Sequence, residues 1–233
     1  MKQQMHFQRF FASLLLLAVS IFSWARSVEI DGIYYNLNNG NHTAEVTFKP
    51  VKFDSGYIGY DAGYYSGNLT IPASVTYNST TYSVTSIGEC AFAESSIGSV
   101  QLPVGLLAIE DAAFSLCTSL REINIPSTVT RIGRNNFSEP SDGPFKMCSS
   151  LTTLRIPASV TTFGPQSLAI SEETTVILES STPPSLQDDY VILDALGFSF
   201  IKKIVVPNGS KSAYQSANVW KKVKDLIYEM DEV

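Results

Sequence analysis

The residues that could do chemistry are few, and their spacing does not support it. Asp54-Ser55-Gly56 has the form of an aspartic-protease triplet, but that reaction needs two carboxylates face to face and no second copy exists. The 233 residues include two histidines, His6 and His42, with no partner pattern for histidine-assisted nucleophilic attack. Glu172-Glu173 and Asp188-Asp189 stand in loop-like sequence and read as solvated surface, with occasional calcium contact as the sharper alternative. Cys90, Cys117 and Cys148 show neither a CxxC nor a Cys/His zinc spacing and read as buried thiols behaving as small hydrophobes. Phosphate-binding loops, dinucleotide fingerprints and G-x-S-x-G elbows are absent. The expectation is a non-enzyme with no catalytic residue, no metal and no cofactor.

Composition points the same way. Hydrophobic residues make up 44% of the chain and charged residues 16%, which is enough apolar material for a core. A net charge of -6 leaves no basic face for phosphates, so nucleic acid is excluded as a partner. Met1 to Arg9 carries two cations and no acid, Phe10 to Phe22 is almost wholly apolar, and Ser23-Trp24-Ala25 places small residues at -3 and -1. That layout predicts a secretory signal peptide over 1–25, cleaved after Ala25 or Ser27. Its apolar run of 13 residues is short of the roughly 20 that a spanning helix needs. No later run is longer, so the mature chain is expected to have no transmembrane span and to be exported to the cell surface, the periplasm or the medium. Losing Lys2 and Arg9 takes the charge from -6 to -8, and losing Arg26 as well takes it to -9. An odd number of cysteines in an exported chain leaves at least one thiol unpaired.

The elements that must position any site are set by internal repetition. Ile71-Pro72, Leu102-Pro103, Ile125-Pro126, Ile156-Pro157 and Val206-Pro207 each follow a short alternating stretch such as Ile123-Asn124-Ile125. Six residues after Pro103, Pro126 and Pro157 comes Ile109, Ile132 or Phe163, and Gly follows in Ile87-Gly88, Ile132-Gly133 and Phe163-Gly164. Further on lies Ala91-Phe92, Ala113-Phe114 or Asn136-Phe137, with Ser167-Leu168 as an echo, then Cys-x-x-Leu at Cys117 and Cys148. The period is 23 residues from Pro103 to Pro126 and 31 from Pro126 to Pro157, and the excess of eight falls between Phe137 and Cys148. Nine extra residues near Thr76 to Tyr82 read as a hairpin protruding from one coil. A strand of three or four residues cannot bury its apolar side alone, so each coil must lie against the next. Ile123 and Ile125 then point inward, Glu122 and Asn124 point to solvent, Pro126 ends the strand and Gly133 permits a tight turn. The expected fold is a β-rich solenoid of about six coils of short parallel strands, forming a short, curved rod.

Ile125 to Gly133 (IPSTVTRIG), Val84 to Phe92 (VTSIGECAF) and Cys117 to Pro126 (CTSLREINIP) resemble the BspA-type leucine-rich repeat. The likeness covers about Asn68 to Glu229. It implies a leucine-rich-repeat solenoid and a place among exported and surface proteins of Bacteroidetes and their relatives, some associated with adhesion to host or bacterial proteins. Val28 to Tyr35 looks like the strand that opens mature members, and Val205 to Tyr214 with Trp220 resembles their terminal coil and closing helix. The sequence departs from the pattern where Glu110 replaces Gly and where the coil around Thr174 to Leu178 lacks its proline. The domain reading is a β-rich N-terminal cap over 26–67, a solenoid over 68–209, and a C-terminal capping helix with a frayed acidic tail over 210–233. Ser210 is the expected N-cap of that helix.

Two surfaces are candidates for binding. The solenoid sheet should present Asn68, Thr70, Ser99, Gln101, Glu122, Asn124, Thr153, Arg155 and Lys203 outward on a regular frame. This suits an interaction module for an extracellular or envelope protein, host-derived ones included. The segment Ser55 to Gly67 holds Tyr57, Tyr60, Tyr64 and Tyr65 among four glycines. Exposed, it would suit a glycan, making the chain a carbohydrate-binding accessory protein; buried, it would pack the cap onto the first coil. A purely structural envelope component is the remaining reading. The sequons at Asn41, Asn68, Asn78, Asn136 and Asn208 matter only in a host with N-glycosylation machinery.

Overall fold

The computed structural model describes residues 27–52, 58–134, 142–187, 189–192 and 201–233. The export segment, Asp54-Ser55-Gly56, Tyr57, Asn136, Phe137 and Asp188 lie outside the described residues.

β1 (Val28–Ile30), β2 (Ile33–Asn38) and β3 (Thr43–Thr47) form an antiparallel meander, and β4 (Pro50–Lys52) pairs with β5 (Ile58–Tyr60) as a short ribbon. Coiling begins at β6 (Ser66–Thr70). The hairpin of β7 (Ser74–Tyr77) and β8 (Thr80–Ile87) then carries the chain to the opposite side of the coil. The next coil contributes β9 (Ser96–Gln101) and β10 (Ala108–Ile109), and the one after it β11 (Glu122–Asn124) and β12 (Arg131–Ile132). β13 (Thr153–Ile156) and β14 (Thr162–Phe163) follow, then β15 (Ser171–Leu178), β16 (Ile201–Val206), α1 (Lys211–Ser216), a 3-10 helix over Val219–Leu226 and β17 (Ile227–Glu229).

These strands stack on two sides. On the short-strand side β3, β8, β10, β12 and β14 run parallel, putting Val46, Ile87, Ile109, Ile132 and Phe163 in one register column, all buried. The cap thus docks by extending this sheet, through β3 on β8. The long-strand side holds two parallel sheets, β6-β9-β11 and β13-β15-β16-β17. Their inward columns are Leu69, Val100 and Ile123 in the first, and Leu154, Val176, Ile204 and Ile227 in the second.

The third side is a ladder of turns. Main-chain bonds run from coil to coil, as in Phe92 N to Ala113 O (2.8 Å) and Phe114 N to Pro144 O (2.7 Å). Inside it the rings stack: Phe92 lies 5.1 Å from Phe114, and Phe114 lies 5.5 Å from Phe145. The third ring of the column is therefore Phe145, where the sequence suggests Phe137. Phe145 keeps the three-residue spacing to Cys148 that Phe114 keeps to Cys117, so the eight extra residues precede the ring. The thiols of Cys117 and Cys148 are buried and do more than fill space: each Sγ donates to the carbonyl of the Phe one coil earlier, Phe92 at 3.0 Å and Phe114 at 3.1 Å. All three cysteines are free.

Irregular positions have local causes. Gly133 has φ +76°, and a Cβ there would also meet the Ser167 Oγ at 2.5 Å. Glu110, in place of Gly, receives a bidentate pair from Arg131 of the next coil at 2.6 and 2.7 Å. The β7-β8 hairpin turns through Asn78 and Ser79, both at positive φ. It does not stand free: Val75 and Tyr82 are buried, and the Tyr82 hydroxyl donates to Asn39 Oδ1 at 2.6 Å. The C-terminal tail is not frayed. The Glu229 carboxylate accepts from the Gly209 and Lys211 amides, and Glu232 pairs with Lys211. Ser210 makes no side-chain cap bond, so the start of α1 is capped from a distance by Glu229. Trp220 is buried and donates Nε1 to Pro184 O at 2.8 Å.

Replacing Phe114 by Ala removes the middle ring of the column and should destabilise the protein by ~3–5 kcal/mol in urea unfolding, whereas Val104→Ala, at an exposed position, should leave the midpoint unchanged. Burial pushes the Cys117 thiol from its ordinary 9.0 up to about 12, and Cys148 is pushed up for the same reason. The folded state binds these protons more tightly than the unfolded one, so the thiols' contribution is intact below pH 9 and is lost as pH rises from 9 toward 12. Urea midpoints measured at pH 8, 10 and 11 should fall, and fall less steeply in Cys117→Ser.

Candidate binding face

Alternation along the long strands decides what faces outward. In the first sheet the outward rows are Asn68, Ser99 and Glu122, then Thr70, Gln101 and Asn124, in direct register. All are exposed except Ser99, which is half-buried. In the second sheet one row is Thr153, Thr175 and Lys203, and the next is Arg155, Ile177, Val205 and Tyr228. Thr153 and Arg155 are exposed; Lys203 is half-buried, with Nζ 5.6 Å from the Tyr228 ring. The row turns apolar toward its end, where Val205 is only 2% exposed. The structure thus brings the nine sheet residues onto one side and adds Thr175, Ile177, Glu179 and Tyr228. The missing proline in the β15 coil hid the first three from the repeat alignment.

The face is interrupted between β11 and β13. No main-chain ladder joins these strands, although the short-strand side and the Phe column run past this point unbroken. The Asn124 side chain takes part in the irregularity. Its Oδ1 accepts from Leu102 N at 3.2 Å, so this residue works in the frame as well as standing on the face. The interruption forms a groove of about 490 Å³, lined among others by Arg121, Glu122, Asn124, Thr153, Arg155 and Glu179. Arg155 pairs with Glu179 at 3.3 Å across an exposed surface. Such a pair contributes little to stability and remains available to a ligand.

The tyrosine segment is placed differently. The side chain of Tyr60 is not among the described ones, and Tyr57 lies outside the described residues. Tyr64 is half-buried beneath Lys49, whose Nζ lies 4.4 Å from the ring centroid. Tyr65 is not available to a ligand: it is 4% exposed, and its ring heads the Phe column 4.9 Å from Phe92. Its hydroxyl donates to Thr47 O and accepts from Tyr34 N, both at 3.0 Å. Burial raises its pKa well above the usual phenol range. Tyr65 therefore locks the cap to the first coil. Among the described residues no three His, Cys, Asp or Glu side chains gather as metal ligands, and no helix is long and apolar enough to cross a membrane.

The profile of the BspA type leucine rich repeat region matches residues 70–183 and 137–217, with six copies. The chain belongs to that family. Leucine-rich repeats of this kind generally serve protein interaction and are typically non-catalytic. A leucine-rich repeat protein from Bacteroides capillosus ATCC 29799 is similar at 28% identity, over 66% of this chain and 99% of its own, with a TM-score of 0.51. One from Bacteroides ovatus ATCC 8483 is 21% identical over 77% of this chain and 49% of its own, TM-score 0.46. A leucine rich cell surface protein from Faecalibacterium prausnitzii A2-165 is 21% identical over 87% and 54%, TM-score 0.40. The chain spans about half the length of these last two. No curated protein matches it.

In this BspA-type chain Tyr65→Phe leaves a buried main-chain N–H and C=O without their side-chain partner. It should cost about 1–3 kcal/mol in urea unfolding, while Tyr64→Phe should cost under about 0.5 kcal/mol.

Proposed function

We propose that the protein is an exported, non-catalytic interaction module that binds other proteins through the outward rows of its long-strand side. The observation that carries this reading is the contrast between the two faces of the same strands. Ile123, Leu154 and Val176 are buried against neighbouring coils, while Asn68, Thr70, Gln101, Glu122, Asn124, Thr153 and Arg155 stand exposed in register beside them. A frame held by its own stacking need not be ordered when a partner arrives, which lowers the cost of binding. The rows mix Glu122, Arg155, Glu179 and Lys203 with neutral polar groups, so charge complementarity can select a partner without a single-sign field. Partners are sought outside the cytoplasm, in the envelope or on host surfaces.

The tyrosine cluster gives weaker support to carbohydrate binding. Tyr65 is buried with both hydroxyl bonds used, and Tyr64 is covered on one face by Lys49.

The test is binding of the purified protein to a panel of purified extracellular-matrix and envelope proteins by biolayer interferometry. The double variant Glu122→Arg, Arg155→Glu should weaken any observed complex at least tenfold with its unfolding midpoint unchanged. Binding that survives the double charge reversal intact would place the site elsewhere.

A further inference from the structure

We propose that the interruption between β11 and β13 is where the face selects its partner, and that the ligand is a polypeptide segment inserting an Asn or Gln carboxamide between the two strand edges. This rests on the protein-binding reading above and sharpens it to one position.

In a parallel ladder successive residues direct their main-chain groups alternately to the two neighbouring strands. On β13, Thr152 O accepts from Thr175 N and Ile156 O accepts from Glu179 N, so Thr152, Leu154 and Ile156 face β15. Thr153 and Arg155 therefore present their main-chain groups to β11. On β11, Arg121 N donates to Gly98 O, so Arg121 and Ile123 face β9, and Glu122 and Asn124 present their main-chain groups to β13. No ladder joins these facing edges among the described residues. Glu122, Asn124, Thr153 and Arg155 all line the groove. A missing rung in the middle of a stacked sheet is thus left open to solvent, with donors and acceptors on both banks.

A group that replaces the rung must donate and accept at the same time. A carboxylate only accepts, and an ammonium or guanidinium only donates; a hydroxyl does both, but from a single atom. A carboxamide carries an acceptor oxygen and two N–H donors on separate atoms, so it can meet both banks. The rim adds charge selection. Arg155 and Glu179 are paired with each other, while Arg121 and Glu122 sit on the rim with no ion-pair partner among the described residues. A segment with a base and an acid flanking the carboxamide complements both. The groove lining contains no aromatic ring, which removes the stacking surface on which sugar rings are usually held and favours a peptide over a glycan.

The probe is a phage-displayed library of random 12-residue peptides, selected on the purified protein. Enriched peptides should share an Asn or Gln with an acidic or basic residue within two positions. Their synthetic forms should lose at least tenfold in Kd when the carboxamide is changed to Glu, or when Thr153→Trp covers the groove. Ser127→Trp on the opposite lip should have the same effect without altering β13, while Gln101→Trp, on the same side but outside the groove, should leave Kd unchanged. Peptides that bind, ignore Thr153→Trp and Ser127→Trp, and are lost with Gln101→Trp would overturn the groove and leave the face intact. Peptides that require Glu or Lys where Asn or Gln is expected would overturn the carboxamide. Failure to enrich any peptide, or binding indifferent to all three variants, would overturn the groove together with the protein-binding face.

Discussion

β10 and β12 have two residues each, too little surface to bury a side chain or to satisfy a backbone by themselves. They exist only because Ile87, Ile109, Ile132 and Phe163 cover one another in register and because each strand's amides find carbonyls one coil away. Everything else follows from this dependence on neighbours. It explains why the cap must offer a strand of its own, β3, to the first short strand, and why β17 lies against β16. Both ends of the stack would otherwise leave an inward column without its cover.

The same dependence separates frame from face. Polar groups inside the frame are spent on joining coils: the Cys117 and Cys148 thiols on Phe carbonyls, Ser167 Oγ on Ile132 O, Glu110 on Arg131. Burial that raises the thiol pKa also makes these sulfurs poor nucleophiles. The outward rows carry little such duty beyond Asn124, the exposed Arg155–Glu179 pair and Lys203 against Tyr228. They can vary without cost to the coil, which is what a recognition surface requires. Where the ladder opens between β11 and β13, frame and face meet.

Much of this was legible from residues alone because a repeat writes its own geometry. Alternation around Ile123 and Ile125 predicts the inward column, the proline marks the strand end, and the glycine after Ile132 marks a left-handed turn. The family resemblance follows from those same positions, and the profile match agrees with it. Errors arose where two registers compete for one signal. Phe137 and Phe145 both offer a ring after Gly133, and only the spacing to Cys148 chooses between them. The tail after Tyr228 is acidic and looks unconstrained, yet Glu229 and Glu232 have distant partners in Gly209 and Lys211. The tyrosine segment leaves two readings open, an exposed adhesive loop or packing of the cap onto the first coil, and Tyr65, heading the ring column, takes the second. The opening between β11 and β13 falls in a coil lengthened from 23 to 31 residues, but the added length does not say that the ladder breaks on the long-strand side.

The central claim is that the stack is continuous on the short-strand and turn sides and open at one place on the long-strand side. Residue-resolved hydrogen exchange of the free protein tests it most directly. The amides of Glu110, Gly133, Gly164, Phe114 and Thr175, each bonded to the neighbouring coil, should exchange slowly and with similar protection. Those of Thr153 and Arg155, facing the groove, should exchange at least a hundredfold faster although both flanking strands are intact. Protection of Thr153 and Arg155 equal to that of Thr175 would mean that the ladder is closed there, and would contradict the account.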